Sequence, residues 1–284
     1  LGFRDESDFP SVLASWSDRL HPEDKGWVLP AFAKHLNDRS GQTPYDVEYR
    51  LKMKYGEYRW FRATGATMRD DDGTPLRVAG SLPPLFGSYR PDLFDAARAP
   101  EIIRPLVEGL APHVDLWLAE TQSSLAEVRF ARDTVRDMLP GDRRPFWASF
   151  TLDDANEDLS RPKLRSGECV AMAVGAALDL GVDAVLFNCS QPEIMAGAVD
   201  AAQAVRLARQ DNAATRSLIG VYANAFPPQR EEAANEDLSE IRADLTPARY
   251  AAFARDWQKL GADIIGGCCG IGPEHIAALR ALRP

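Results

Sequence analysis

The chain has 284 residues, of which 45% are hydrophobic and 26% are charged, a composition typical of a globular protein with one barrel-sized domain or two ordinary ones. Its formal net charge of −9 at pH 7 argues against nucleic-acid or membrane-surface partners, because such surfaces need clustered Lys and Arg. No apolar run reaches the roughly 18 residues of a membrane span, and residues 1–25 lack the pattern of a signal peptide. We therefore expect a cytoplasmic protein.

The first eighty residues predict two helices followed by an antiparallel meander. In chain order the predicted elements are helices at 9–20 and 23–36 and strands at 45–54, at 58–69 and from Leu76 onward. The first two strands are joined around Gly56, and the Asp-rich turn at 70–75 leads into the third.

From about residue 80 the pattern changes to a βα repeat. The predicted strands are residues 76–81, 114–120, 146–152, 182–189, 217–226 and 262–269, and helical patterns lie between and after them. Strands that are apolar on both faces fit a parallel sheet covered by helices. The pattern predicts an α/β fold, either a doubly wound sheet or a closed (β/α) barrel.

The four cysteines form no small-domain disulfide framework, and three of them fall at predicted strand ends. Cys189 ends one strand, while Cys268 and Cys269 end another. The carboxyl ends of parallel strands meet at one edge of the sheet, so the three sulfurs could lie together. Adjacent residues of a regular strand point to opposite faces, but the glycines around the Cys-Cys pair let the backbone leave strand geometry.

Three thiolates with an open fourth position describe a catalytic zinc site. Such a site is a weak Lewis acid that can still deprotonate an incoming thiol, which suits attack by a thiolate on an activated methyl group. The alternative is that Cys268 and Cys269 simply pack in a tight turn. Cys169, predicted to lie within a helix, is interpreted as a buried small apolar residue.

Residues from about 78 to 284 resemble the homocysteine S-methyltransferase family. The stretches that carry the resemblance are AGSLPP at 79–84, GSYRP at 87–91, LAETQ at 118–122, FNCS at 187–190, VYANAF at 221–226 and GGCCGIGPEHI at 266–276. The resemblance implies a zinc-dependent (β/α)8 barrel of the TIM type. It also implies that Cys189, Cys268 and Cys269 bind Zn²⁺.

The resemblance further implies that Glu120, at the end of its strand, contacts the amino group of homocysteine. A solvated or helix-capping carboxylate is the alternative. Asn188 and Tyr222 lie beside the proposed metal ligands. Each is interpreted as a substrate-binding residue, as a support for those ligands or as ordinary packing. Ser81 is either a pocket residue or a turn residue, and His275 is interpreted as structural.

Residues 1–81 instead resemble the later part of a PAS sensor domain. The stretches are WSDRLHPED at 16–24, YDVEYRL at 45–51, GEYRWF at 56–61 and DGTPLRVAGS at 72–81. The first two strands of the methyltransferase barrel, one with Asp-Gly-Gly and one with an Asn-Thr-type ending, are missing. We therefore predict a partial PAS-like segment at 1–77 and a methyltransferase-like barrel at 78–284, joined as a chimera.

Six parallel strands cannot close an eight-stranded barrel, and open edges expose unpaired backbone. Either the meander at 45–69 covers one edge, or two chains pair their edges in a homo-oligomer.

Three functions follow from these patterns. The leading one is zinc-dependent methyl transfer to homocysteine, giving methionine, with S-methylmethionine favoured as the donor over folate, cobalamin or betaine. The second is a PAS-type sensory or interaction module in which aromatic residues such as Trp60 and Phe61 line a pocket or dimer face. The third is a folded chimera that binds zinc without turnover.

Overall fold

The computed structural model describes residues 16–37, 45–65, 78–156, 158–209, 217–228 and 240–282. Most of the predicted helix at 9–20 and the predicted turn at 70–75 lie outside these residues. The chain divides into two compact units. One comprises Leu1–Gly80 with Arg104–Asp115, and the other comprises Ser81–Ile103 with Leu116–Pro284.

The first unit contains a helix and a β-hairpin. Helix α1 is Lys25–Asn37, and strands β1 (Tyr45–Lys52) and β2 (Tyr58–Gly65) pair antiparallel. The inward residues Tyr49 and Leu51 pack with Leu20 and Val28 in a small hydrophobic core, as the alternation of apolar residues predicts.

The two aromatics predicted to line a pocket or dimer face lie on different sides of this hairpin. Phe61 is partly buried against the hydrophobic core. Trp60, the next residue along the strand, is 65% exposed and lies under the guanidinium of Arg50, which is 5.3 Å from the ring centroid. A single pocket lined by both side chains is therefore wrong, since consecutive strand residues face opposite ways.

Six further strands form one sheet. They are β3 (Ala79–Leu82), β4 (Leu116–Gln122), β5 (Phe146–Phe150), β6 (Ala184–Asn188), β7 (Leu218–Tyr222) and β8 (Ile264–Ile265). Their order in the sheet is the order along the chain, and β4 to β8 pair in parallel. The parallel α/β sheet is confirmed. Residues 76–81 fitted two predictions, a third strand of the meander and a strand of the parallel sheet. Within the described residues, β3 belongs to the six-stranded sheet and β1 and β2 form a sheet of two strands, so the second prediction is confirmed and the first is wrong.

Helices separate the strands of this sheet. They are α2 (Ala99–Leu110), α3 (Leu125–Met138), α4 (Val170–Asp179), α5 (Pro192–Ala208), α6 (Pro247–Lys259) and α7 (Pro273–Arg280), with a 3-10 turn at Pro91–Leu93. Helix α3 begins at the N-cap Ser124 and α6 at the N-cap Thr246, whose hydroxyls each accept a backbone N–H three residues on. All five residues of β6 are buried, as expected for a strand covered on both faces.

Three aspartates fix the alignment of neighbouring strand starts. Asp115, Asp183 and Asp263 each precede a strand by one residue. Each donates its backbone N–H to a carbonyl at the start of the neighbouring strand in the sheet. The acceptors are Val78, Phe146 and Ile219, at 2.8, 2.8 and 2.7 Å respectively. Each carboxylate accepts a backbone N–H on that same side, from Val78, Phe146 and Ile219. An aspartate directly before a strand therefore sets the register of that strand in all three places.

Cys169 departs from its prediction. It is the N-cap residue of α4 and is exposed, so the interpretation as a buried apolar residue within a helix is wrong. Among the helices of the described residues, none combines the length and the low polarity that crossing a bilayer requires.

Candidate metal centre

Three cysteine sulfurs converge where β6 and β8 end. The Sγ atoms of Cys189 and Cys268 are 2.8 Å apart, and those of Cys268 and Cys269 are 3.8 Å apart. All three lie within 4.8 Å of one another. Two ligand sulfurs of a tetrahedral zinc, each about 2.3 Å from the metal, are about 3.8 Å apart. The Cys268–Cys269 pair already has that separation, and Cys189 needs to move by about 1 Å.

The metal-free thiols favour their neutral forms. The hydrogen bond with Cys268 lowers the pKa of Cys189, but the contact with Cys269 and burial outweigh it and raise that pKa to about 12. The contacts with Cys189 and Cys269, together with burial, raise the pKa of Cys268 well above its usual value. Three crowded thiols cannot all ionise unless a cation compensates the charge, so this donor set fits a thiophilic divalent metal.

The backbone around Cys268 and Cys269 leaves strand geometry, as the glycines predicted. Strand β8 ends at Ile265. Beyond it, the N–H of Cys268 donates to the carbonyl of Ala223 at 2.9 Å, and the carbonyl of Cys269 accepts from Ala225 at 2.8 Å. Gly267 is required because a Cβ there would overlap the side chain of Ile271, and Gly270 adopts a φ of 78°.

Cys189 reaches the same point by a different route. It follows β6 directly and has a left-handed backbone, with a φ of 49°, which is uncommon outside glycine. The next residue, Ser190, is fully buried, and its hydroxyl accepts the N–H of Leu152 at 2.8 Å and contacts the carbonyl of Asn188 at 3.0 Å.

Tyr89 is a site residue that the sequence did not reveal. It lies in the GSYRP stretch, yet nothing in its local pattern gave it a role. Its hydroxyl donates to the backbone carbonyl of Cys189 at 3.1 Å, and the guanidinium of Arg165 lies 4.0 Å from its ring centroid. Burial raises the pKa of Tyr89 far above its usual value, so the hydroxyl keeps its proton.

Glu120 carries the second polar cluster. Its carboxylate accepts a hydrogen bond from the Ser81 hydroxyl at 2.6 Å and another from the Tyr222 hydroxyl at 3.2 Å. These residues lie on β4, β3 and β7. In a flat sheet β4 and β7 would be about 14 Å apart, so the contact requires the sheet to curl with both side chains on its concave face.

Tyr222 links this polar cluster to the cysteines. It pairs in register with Asn188, the residue immediately before Cys189. Burial and the neighbouring Glu120 raise the pKa of Tyr222 well above its usual value, which keeps the phenol a hydrogen-bond donor. Glu120, Tyr222 and the three sulfurs therefore line one end of the curled sheet.

Asn188 is engaged within the protein. It is 1% exposed, its Oδ1 accepts from Ser149 at 2.7 Å, and its Nδ2 donates to the hydroxyl of Thr121 at 2.8 Å. These contacts favour the role of a support between strands. His275 accepts from the N–H of Gly272 at 3.2 Å and contacts the carbonyl of Leu245 at 2.9 Å, in agreement with a structural role.

A family model for homocysteine S-methyltransferase matches residues 41–282. The chain belongs to the homocysteine S-methyltransferase family. The match includes the whole cysteine site and the Glu120 cluster. It also begins before β1, within the segment predicted to be PAS-like.

The chain is also similar to individual proteins. The maize protein "Homocysteine S-methyltransferase 4" is 31% identical over 179 residues, which cover 63% of this chain and 46% of that protein. An uncharacterized protein of Pseudomonas chlororaphis is 38% identical over 81 residues, covering 28% of this chain and 32% of that protein. The chain therefore spans less than half the length of these curated relatives.

Among solved structures, the chain is similar to the metallated form of the homocysteine methyltransferase MmuM from Escherichia coli. The TM-score is 0.52 at 26% sequence identity, and the similarity covers 74% of this chain and 62% of MmuM. The family fold is thus shared with a protein whose structure holds a metal.

Proposed function

We propose that this protein binds one Zn²⁺ through Cys189, Cys268 and Cys269 and transfers a methyl group to the thiol of homocysteine, giving methionine. The observation that carries the proposal is the convergence of three sulfurs within 4.8 Å at one end of the sheet, beside a carboxylate held by two hydroxyls. Family membership and the metallated MmuM structure support it.

The donor set indicates what the metal contributes. Bound by three thiolates, Zn²⁺ would lower the pKa of a substrate thiol so that it ionises at neutral pH while keeping an electron-rich sulfur.

Glu120 binds the substrate's ammonium group in this proposal. The hydroxyls of Ser81 and Tyr222 hold its carboxylate in one orientation, so that its remaining lone pairs can accept from the ammonium. An ion-assisted hydrogen bond of this kind is roughly twice as strong as a neutral one. Because Tyr222 pairs with Asn188 next to Cys189, an amino acid held by Glu120 places its thiol-bearing side chain toward the cysteines.

S-methylmethionine is the donor we favour. The homocysteine sulfur forms a new bond to the methyl carbon, while the electron pair of the old carbon–sulfur bond stays on the donor sulfur. The sulfonium thereby loses its positive charge and leaves as the neutral thioether of methionine. Both products are then methionine, and the thiol proton is released to solvent.

The N-terminal part supports a second proposal, which concerns architecture. The hairpin forms its own sheet and core, and the described barrel-type sheet has six strands. These observations fit a partial PAS-like segment at 1–77 and a barrel at 78–284 without its first two strands. The family match from residue 41 favours the other interpretation, in which the hairpin region is part of the methyltransferase unit. If strands that bind substrate are missing, the protein binds zinc without turnover.

The exposed aromatics of the hairpin favour an interaction surface as the second candidate function. Trp60 is 65% exposed and Tyr55 is 87% exposed, on a unit that holds none of the three clustered cysteines. A partner bound equally well by the wild-type protein and by Cys189→Ser would support this function, whereas a partner lost with zinc would count against it.

Zinc content of the purified, reduced protein tests the leading function first. We expect one zinc per chain, lost in Cys189→Ser and in Cys268→Ser and retained in Cys169→Ser, which changes an exposed cysteine outside the cluster. Methionine formation from homocysteine and S-methylmethionine is then measured on the zinc-loaded protein. Zinc without methionine would identify the non-catalytic chimera, and reduced protein with no zinc would refute the methyltransferase proposal.

A further inference from the structure

Cys189 lies in a turn that is hydrogen-bonded at both ends to one buried cluster, formed by Tyr89, Asp154 and Arg165. At its start, the carbonyl of Cys189 accepts the hydroxyl of Tyr89 at 3.1 Å. Two residues later, the N–H of Gln191 donates to Oδ1 of Asp154 at 3.0 Å. Gln191 is the N-cap residue of α5, so the turn is held between the end of β6 and the start of the next helix.

Arg165 contacts both side chains that make these hydrogen bonds. Its Nη2 donates to Oδ2 of Asp154 at 2.8 Å, and its guanidinium lies 4.0 Å from the centroid of the Tyr89 ring. The side chains of Arg165 and Asp154 are only 6% and 0% exposed. Contacts therefore link Cys189 to Tyr89, Tyr89 to Arg165, Arg165 to Asp154 and Asp154 to Gln191, and the chain from Cys189 to Gln191 closes the ring.

The ring is built from residues that leave little freedom. Tyr89 is 6% exposed and has a φ of 66°, so two members of one contact, Tyr89 and Cys189, both have left-handed backbones. Non-glycine residues hold such conformations only where the surrounding structure over-determines them, and they concentrate at functional sites. A buried guanidinium stacked on an aromatic ring also fixes the ring plane, and hence the direction of its hydroxyl.

We propose that Tyr89 is a positioning residue for the metal ligand Cys189, and that the buried pair of Arg165 and Asp154 fixes Tyr89 and the following turn. This inference rests on the proposed zinc function. Without the hydroxyl, the carbonyl of Cys189 is free to rotate, and the residue relaxes toward the common right-handed or extended conformations. Its sulfur is then no longer held beside the other two, so a smaller fraction of molecules presents three sulfurs to one metal ion and the apparent affinity falls.

The test is Tyr89→Phe, which removes one hydroxyl and keeps the ring under Arg165. Its matched control is Tyr49→Phe in the other unit, because Tyr49 is also buried and its hydroxyl accepts a hydrogen bond from the indole N–H of Trp16 at 3.0 Å. Zinc affinity is measured on the full chain by competition with a chelator. We expect Tyr89→Phe to weaken zinc binding 10- to 100-fold, the usual cost of removing a group that supports a ligand, and Tyr49→Phe to leave it unchanged.

A second readout needs no metal. In reduced, metal-free protein, the alkylation rate of Cys189 is followed by mass spectrometry, with exposed Cys169 as the internal standard. Loss of one hydrogen bond is expected to raise the Cys189 rate about fivefold relative to Cys169 in Tyr89→Phe. Arg165→Lys keeps the charge but loses the planar stack, and an intermediate increase is expected.

The outcomes separate this inference from the proposed function. If wild type binds zinc and Tyr89→Phe binds it equally well, the positioning role is refuted while the metal site stands. If wild type binds no zinc, the proposed function is refuted, and the alkylation ratio alone decides the positioning role. An unchanged ratio, or an equal increase in Tyr49→Phe, overturns it.

Discussion

The two arms of the cysteine site present their sulfurs in different ways. The arm after β8 carries Cys268 and Cys269 on an irregular backbone, paired with the main chain of residues 223–225 and permitted by Gly267 and Gly270. The arm after β6 carries Cys189 in a left-handed conformation, and a side chain 100 positions away holds its carbonyl.

The difference shows what each arm depends on. The Cys-Cys arm depends on the absence of side chains within two residues of the cysteines, so an added Cβ should disturb it. The Cys189 arm depends on the presence of distant side chains, so a removed hydroxyl should disturb it. The first dependence can be found in the local sequence, and the second cannot.

The largest expected effect comes from removing a sulfur, and it tests whether the two arms form one site. Cys189→Ser and Cys268→Ser should each weaken zinc binding by more than about 100-fold, because losing a ligand costs more than losing a supporting contact. Methyl transfer should fall to background. Chelator competition and methionine assays measure the two effects. A variant that still binds one zinc tightly would show that the cysteine it lacks is not a ligand.

Glu120→Gln should have the next largest effect and should leave both arms intact. The neutral amide loses the ion-assisted bond to the substrate ammonium, worth about 1.5–3 kcal/mol, so kcat/KM for homocysteine should fall about 10- to 100-fold. Zinc content should stay at the wild-type value. Steady-state kinetics and metal analysis of one preparation decide this, and loss of zinc in Glu120→Gln would mean that the clusters are not independent.

Gly270→Ala tests the dependence of the Cys-Cys arm on a missing side chain. The new Cβ would lie 2.9 Å from Cβ of Ala225, at a φ of 78°. Gly141→Ala is the matched control, since Gly141 has a φ of 87° and open space around its position. Both should lower the Tm by a few degrees, the effect of about 1 kcal/mol of backbone strain, and Gly270→Ala by more because its Cβ also meets Ala225.

Only Gly270→Ala should also weaken zinc binding, by about tenfold. Thermal unfolding and chelator competition on the two variants give the comparison. Equal zinc affinities would show that the left-handed glycine matters for stability alone and that the cysteine pair does not depend on it.

The smallest expected effect is that of Tyr222→Phe. The ring stays, and one of the two hydroxyls that orient the Glu120 carboxylate is lost. Because Tyr222 acts only through the orientation of this carboxylate, we expect a cost of about 1 kcal/mol, which corresponds to about a fivefold lower kcat/KM, with the loss in KM rather than in zinc binding. A larger loss than in Glu120→Gln would contradict the order of roles, because Tyr222 would then act other than through the carboxylate.

Several features could be predicted because their signals are local. The apolar runs that alternate with helical patterns from residue 76 onward predicted parallel strands with helices between them, and β6 is buried at all five positions. The glycines beside Cys268 predicted an irregular backbone there. The alternation around Tyr49 likewise predicted a hairpin face.

Other features could not be predicted from local signals. Cys169 was expected in the core because thiols are usually buried, but it caps the exposed start of α4. The segment from Leu76 had the pattern of a third meander strand, yet β3 joins the parallel sheet, since a short apolar run carries no information about its partner. Tyr89 gave no signal because its role depends on a carbonyl far along the chain.

The sequence by itself determined which segments form strands of a parallel sheet, the cysteines at two strand ends and the backbone freedom beside one pair. These follow from periodicity, glycine positions and the rule that parallel strands end at one edge, all of which act over a few residues. Only the tertiary structure decided that the sheet curls enough to bring Tyr222 of β7 to Glu120 of β4, and that Tyr89 and Arg165 close on Cys189. Such contacts arise from packing between segments distant along the chain, and the local sequence of neither segment predicts the contact.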